Sequence, residues 1–349
     1  MRRNVFFRIA LISVLALCLV GPVFAGGGGQ QKAGELPVLR VAIIPWQLSL
    51  PATYMSEKGW DVENGFKVET SVYPMGAPLL EAMGANLWDI AACGPAAVFS
   101  VANTGLKIIA DISVASGGVI AFLRPDHPAA KIKGAVPGYP NIYGSAATLK
   151  GSKVLVPVGS MNHYNVLQWI SIFGLTGDDI EVVHMDNASS FQAFKLGEGD
   201  ITAFSPPLSY NAEAEGWVPA GVLHDLKIVL MDCLYANPRV YDQKKELIAK
   251  YVKQMYRAND YFMSDMGKTA ELLRDFMTNN GLTTTLENTK RDLATRPFKT
   301  TQEAKSGIPG ESMKGIAEFY TSIGTMEKAK FANFNSTTMN REILDMALK

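Results

Sequence analysis

Two stretches of the chain are written in the same pattern. Asn86-Leu87-Trp88-Asp89-Ile90-Ala91-Ala92 and Gly197-Glu198-Gly199-Asp200-Ile201-Thr202-Ala203 each set an aspartate immediately before a short apolar run, just after a helical segment. A run that short, rich in Ile and Ala, fits a buried strand. The flanks repeat as well. Around the first copy the periodicity predicts strands at 38–44, 67–73, 88–92 and 107–110, with helices at 52–63, 79–85 and 95–104. Around the second it predicts strands at 152–157, 180–185 and 200–204, a helix opening at Gly159-Ser160-Met161-Asn162 and running to about 173, and another at 189–196. Strands that alternate with single helices build βαβ units on a mostly parallel sheet. The chain is therefore expected to hold two similar α/β units. Residues 121–124 read as the first crossing between them and 226–234 as the return. From Tyr241 onward the pattern is mostly helical, including an amphipathic stretch at 247–263.

The N-terminus reads as an export signal. Arg2, Arg3 and Arg8 precede an apolar run over 9–20, and Val23-Phe24-Ala25 fits a small-residue cleavage site. Gly26 is then the expected first residue of the mature chain. A permanent N-terminal anchor is the alternative, although the run is shorter than the ~20 residues that span a bilayer. Lipidation at Cys18 is a third, opposed by the bulky Leu17 before it. The expected division is a signal peptide at 1–25, a flexible linker at 26–36, a first lobe beginning over 37–122, a second lobe at 123–225, and a return to the first lobe with C-terminal helices at 226–349. The location is periplasmic or otherwise extracytoplasmic. With 33 basic and 33 acidic residues the chain lacks the charge footprint of a nucleic-acid binder. Cys93 and Cys233 are expected as buried free thiols, a bridge between them being the alternative in an oxidising compartment.

A family resemblance rests on several of these stretches together. They are Leu39-Arg40-Val41-Ala42, Glu57-Lys58-Gly59-Trp60, Gly65-Phe66-Lys67-Val68-Glu69, Trp88-Asp89-Ile90-Ala91-Ala92, Thr148-Leu149-Lys150-Gly151-Ser152-Lys153-Val154, Pro157-Val158-Gly159-Ser160 and Gly199-Asp200-Ile201-Thr202-Ala203. In order and spacing the chain resembles the nitrate/sulfonate/taurine type of ABC-importer substrate-binding proteins, which are related to the pyrimidine-precursor and riboflavin binders. The resemblance implies an α/β, two-lobed periplasmic-binding-protein fold of type II-like form, each lobe a mostly parallel sheet flanked by helices, with the ligand cleft between lobes. It implies a monomer that closes on a small anionic or heteroaromatic solute and delivers it to a membrane permease and its ATPase, with no cofactor. Phe204-Ser205-Pro206-Pro207 lacks the carboxylate the family often carries there, so a solute with an ammonium group, such as taurine, is not implied. The segment 134–144 is longer than the resemblance asks for. It reads either as a surface insertion or as a lid bringing Tyr139 and Tyr143 to the cleft.

Ligands of such sheets sit beyond the carboxyl ends of the strands. That rule selects Trp46, Gln47 and Ser49 after the first strand, Met75 and Gly76 after the second, and Cys93 and Gly94 after the third. In the second lobe it selects Gly159, Ser160, Met161, Asn162 and His163, then Asp186 and Asn187, then Ser205. Ser160 reads as a helix cap or an anion contact, Trp46 as a stacking platform or a plug, and Asp186-Asn187 as a ligand group or a local turn. Catalysis finds no support. Ser160 and His163 lack a Gly-x-Ser-x-Gly turn, and His127, His163, His184 and His224 stand singly, without metal-ligand spacing. No catalytic residue and no metal ligand is therefore expected. A TRAP-type or sensor-coupled receptor, or an enzyme on the same two-lobed fold, are the alternatives.

Overall fold

The computed structural model describes residues 35–349. The cleavage site, the Gly26 terminus, Cys18 and most of the linker lie outside the described residues. In chain order the strands are β1 (Val38–Ile43), β2 (Lys67–Val72), β3 (Ile90–Cys93), β4 (Lys107–Val114), β5 (Ile120–Leu123), β6 (Lys153–Val156), β7 (Glu181–His184), β8 (Ile201–Phe204), β9 (Val218–Val222) and β10 (Met231–Ala236). They form two five-stranded sheets, ordered β2-β1-β3-β10-β4 and β7-β6-β8-β5-β9. In the first, β1 runs parallel to β2 and β3, and β10 is antiparallel to both neighbours. In the second, β6 runs parallel to β7 and β8, and β5 is antiparallel to both of its own. Each sheet is thus parallel except for one inserted strand, and the two share one topology.

The antiparallel member of each sheet is the strand that arrives from the other half of the chain. β5 follows β4 of the first sheet, and β10 follows β9 of the second. The crossing from first to second sheet lies before Ile120, slightly ahead of the boundary expected after 122. The return lies between Val222 and Met231. The two crossings run side by side. The Ala115 N–H donates to the Leu230 carbonyl at 2.7 Å and the Leu223 N–H to the Val119 carbonyl at 3.0 Å.

The repeated aspartate has a backbone explanation. Asp89 accepts the Arg40 N–H at 2.9 Å, and Asp200 accepts the Lys153 N–H at 2.8 Å. Each carboxylate ties the start of a buried strand, β3 or β8, to the start of its parallel neighbour, β1 or β6. Asp89 also takes the Arg40 guanidinium and the Lys244 ammonium. Burial raises the Asp89 carboxyl, but these hydrogen bonds outweigh it and hold the group below its ordinary range.

Local departures from the sequence reading have physical causes. The helix expected over 52–63 is two pieces, Leu50–Glu57 and Trp60–Glu63, because Gly59 sits at φ +69, outside the right-handed helical region. The segment 134–144 docks on the second lobe: Tyr143 N–H donates to Ala220 and its carbonyl accepts Trp169 Nε1. Tyr139 and Tyr143 lie over the Lys227 and Lys133 ammoniums, which favours the surface insertion over the lid. Phe191 and Phe194 of the helix Asn187–Lys195 pack on Trp217, with ring centroids 4.9 and 4.7 Å apart. Cys93 and Cys233 face each other across β3 and β10 as buried free thiols.

Candidate functional site

In the second lobe, the loops after β6, β7 and β8 are joined by side chains. Ser205 Oγ donates to Asn162 Oδ1 at 3.0 Å, and Asn162 Nδ2 donates to Asn187 Oδ1 at 2.9 Å. Asn162, Asn187 and Ser205, three of the sequence-selected residues, therefore form one chain across the carboxyl ends of three parallel strands. Gly159 enters the helix Met161–Ser171 at φ +78, which a side chain adopts only with strain. Ser160 caps that helix, its Oγ accepting the His163 N–H at 3.3 Å. The Gly159 N–H donates to His163 Nδ1 at 3.3 Å. Burial holds the His163 imidazole below its ordinary pKa, so the neutral acceptor is the favoured form. Asp186 is a cap as well, taking the Ala188 and Ser189 N–H groups and the Ser189 hydroxyl, which hold its carboxyl low.

In the first lobe the candidates divide. Ser49 is buried, and its Oγ accepts the Ile44 N–H at 3.1 Å, so it closes the turn rather than facing a ligand. Trp46 is half-buried at the head of the turn Gln47–Ser49. Gln47 is 1% exposed; its Nε2 donates to the Arg296 carbonyl, while Oε1 has no hydrogen-bond partner. Met75 is exposed at the start of the helix Gly76–Ala82. A side chain at Gly76 would stand 3.0 Å from Cys93 Sγ. Burial, then the nearby Asp232 charge, push the Cys93 thiol up to about 12, so it is no nucleophile.

Sequence reasoning missed a buried polar cluster at the same edge. Asp232, the second residue of β10, accepts Ser113 Oγ at 2.9 Å and Arg296 Nη2 at 3.1 Å. Arg296 also stands 3.9 Å from Asp292, one turn earlier. Asp292 Oδ1 in turn accepts Tyr210 Oη at 3.0 Å, from the helix Leu208–Ala214 of the second lobe. Burial pushes both the Asp232 and the Asp292 carboxyls above their ordinary range against the pull of Arg296. The available signal was Asp292 and Arg296 at i,i+4 before Pro297. A second interlobe contact sits on the helix begun by Ser160: the Tyr164 ring meets Phe319 edge-on at 5.3 Å and Tyr320 at 5.9 Å. Tyr320 also packs on Phe99, just after the Gly94 loop. Among the described residues no group of His, Cys, Asp or Glu is placed to hold a metal ion, and no helix is long and apolar enough to cross a membrane.

Comparison with known proteins agrees with this architecture. The NMT1-like family matches residues 32–274. A Brachyspira hyodysenteriae protein provisionally named an ABC transporter periplasmic binding protein is 34% identical over 348 residues, covering 100% of both chains. A Brucella abortus protein provisionally named a binding protein is 24% identical over 304 residues, 84% of this chain and 88% of its own. Among solved structures, the periplasmic aliphatic sulphonate binding protein SsuA of Escherichia coli superposes with a TM-score of 0.66 at 18% identity, over 86% of this chain and 92% of its own.

Proposed function

The chain belongs to the NMT1-like family, and from that membership we propose that it is the extracytoplasmic solute-binding protein of an ABC importer. It binds a small anionic or heteroaromatic solute between its lobes, closes by a hinge at the paired crossings, and presents the closed form to a membrane permease and its ATPase. It performs no chemistry on the solute. The observation that carries this reading is two like sheets joined by paired crossings, with helices of the two lobes in contact through Tyr210 to Asp292 and Tyr164 to Phe319. Contacts made to both lobes exist only when they are closed, so a solute that makes them shifts the population toward closure. The name of the Brachyspira relative supports an importer partner over a TRAP-type or sensor-coupled one. Export past the signal at 1–25, without lipid at Cys18, belongs to the same reading.

Within the site, the helix start at Ser160–Met161 offers backbone N–H groups to an acceptor or anionic group of the solute. The Asn162–Asn187–Ser205 chain fixes that rim, and Trp46 covers an apolar or flat portion. The test is native mass spectrometry of the protein purified from its own host, followed by calorimetric titration with whatever solute is retained. One bound solute, unchanged after prolonged incubation, is expected. Conversion of the solute to a product would refute the receptor assignment.

A further inference from the structure

The buried cluster at the edge of the first sheet carries two carboxylates for one guanidinium. Asp232, Asp292 and Arg296 are 2%, 3% and 7% exposed, and Arg296 stands 3.1 Å from the one carboxylate and 3.9 Å from the other. Arg291, a further cation acting on Asp292, is exposed and paired bidentately with Glu213. Ser113 and Tyr210, the remaining partners, are neutral donors. Burying an excess negative charge is costly unless a positive or hydrogen-bearing group completes it.

Two further observations point to where that group sits. Gln47 follows β1, Gly94 follows β3 and Asp232 opens β10, and these three strands are consecutive in the sheet. The Gln47 amide is oriented by its Nε2 bond to the Arg296 carbonyl, since the flipped amide would set two acceptors against each other. That leaves Oε1, fully buried, as an acceptor without a donor. At Gly94 a Cβ would stand 3.5 Å from Asp232 Oδ1, so the missing side chain leaves space directly against that oxygen. Among the described residues the hydrogen bonds to Asp232 all reach Oδ2. The unfilled groups at this edge are therefore acceptors.

We propose that Asp232 and Gln47, over the gap left by Gly94, form a subsite for a protonated or hydrogen-bearing nitrogen of the solute. The carboxylate that 204–207 lack in the second lobe is thus supplied from the first. The inference rests on the receptor reading, and it makes the solute two-ended: a nitrogen donor against the first lobe, an acceptor group against the Ser160 helix start of the second.

The test uses two probes of matched shape, benzylamine and benzenesulfonate, in thermal-shift and calorimetric titrations of the mature protein. Benzylamine at millimolar concentration is expected to raise the melting temperature. Asp232→Asn, an isosteric change that removes the excess charge, should weaken it about tenfold or more. Gly94→Ala should do the same with the fold intact, because Gly94 has φ −74 and the new methyl meets Asp232 at ordinary contact distance. A shift with benzenesulfonate alone, no shift with benzylamine, or equal benzylamine binding in both variants would overturn the subsite. A retained anionic solute that is lost on Gly159→Val but not on Asp232→Asn would overturn it while leaving the receptor reading intact.

Discussion

His163 ties stability to pH through one partly buried acceptor. Its folded pKa lies below the ordinary 6.5 because of burial, and its Nδ1 takes the Gly159 N–H. A base whose folded pKa is depressed binds fewer protons folded than unfolded, so its contribution is complete above 6.5 and is lost as pH falls from there through the lower folded value. Denaturant midpoints taken from neutral pH downward should therefore fall below pH 6.5, and the fall should be smaller in His163→Gln. An identical pH profile in the variant would remove His163 from this role. The neighbouring Ser160 separates capping from binding. Ser160→Ala is expected to cost about 1 kcal/mol of stability through the lost cap alone, so affinity has to be titrated beside unfolding. At this scale residue type was legible and fate was not. Ser49 and Asp186 were selected as ligand groups beyond strand ends, and in the structure both accept local backbone N–H groups. Asp232 was invisible because its meaning depends on Ser113 and Arg296, which the chain brings to it from far away in sequence.

The twin aspartates show what pattern alone can carry at the scale of elements. Their spacing before a buried strand announced two like units, and the structure shows that each carboxylate pins a parallel neighbour. The same position differs in energy between the lobes. The Asp89 side chain is fully buried beneath Arg40 and Lys244, whereas Asp200 is 40% exposed with Arg124 at 3.8 Å. Asp89→Ala is expected to cost roughly 3–5 kcal/mol, the range for breaking a buried pair. Asp200→Ala loses a partly solvated group and should cost about 1 kcal/mol. Equal losses in urea unfolding of the two variants would show that burial does not set the difference. Strands rich in β-branched residues were legible here. β5 was read only as a crossing, and β9 carries Pro219 and Gly221, which erase a strand signal. The single antiparallel strand in each sheet could not be read locally, because its direction follows from where the chain comes from.

The closure proposed above would be a property of the whole molecule, and contacts between the lobes are where it would be biased. Tyr210 donates to Asp292 across the lobes, while Arg291 pairs with Glu213 and lies 4.3 Å over the Tyr210 ring. All of these join the helix Leu286–Thr295 of the first lobe to the helix Leu208–Ala214 of the second. They join the lobes in the arrangement seen here without any solute, so in the proposed receptor they are expected to bias the empty protein toward closure. Removing one buried hydrogen bond to a charged group costs about 1.5–3 kcal/mol. Tyr210→Phe should therefore shift the empty protein's closed-to-open ratio by about ten- to hundredfold toward the open form. Apparent affinity falls with the closed fraction, whatever the solute is. Arg291→Ala, which removes an exposed pair and a ring contact, should act in the same direction and less strongly. Spin labels placed one on each lobe read the interlobe distance directly in the solute-free protein. A longer mean distance in Tyr210→Phe than in Arg291→Ala, and longer in both than in the unaltered chain, is the expected order. Superimposable distance distributions would mean that these contacts stabilise the fold without biasing closure.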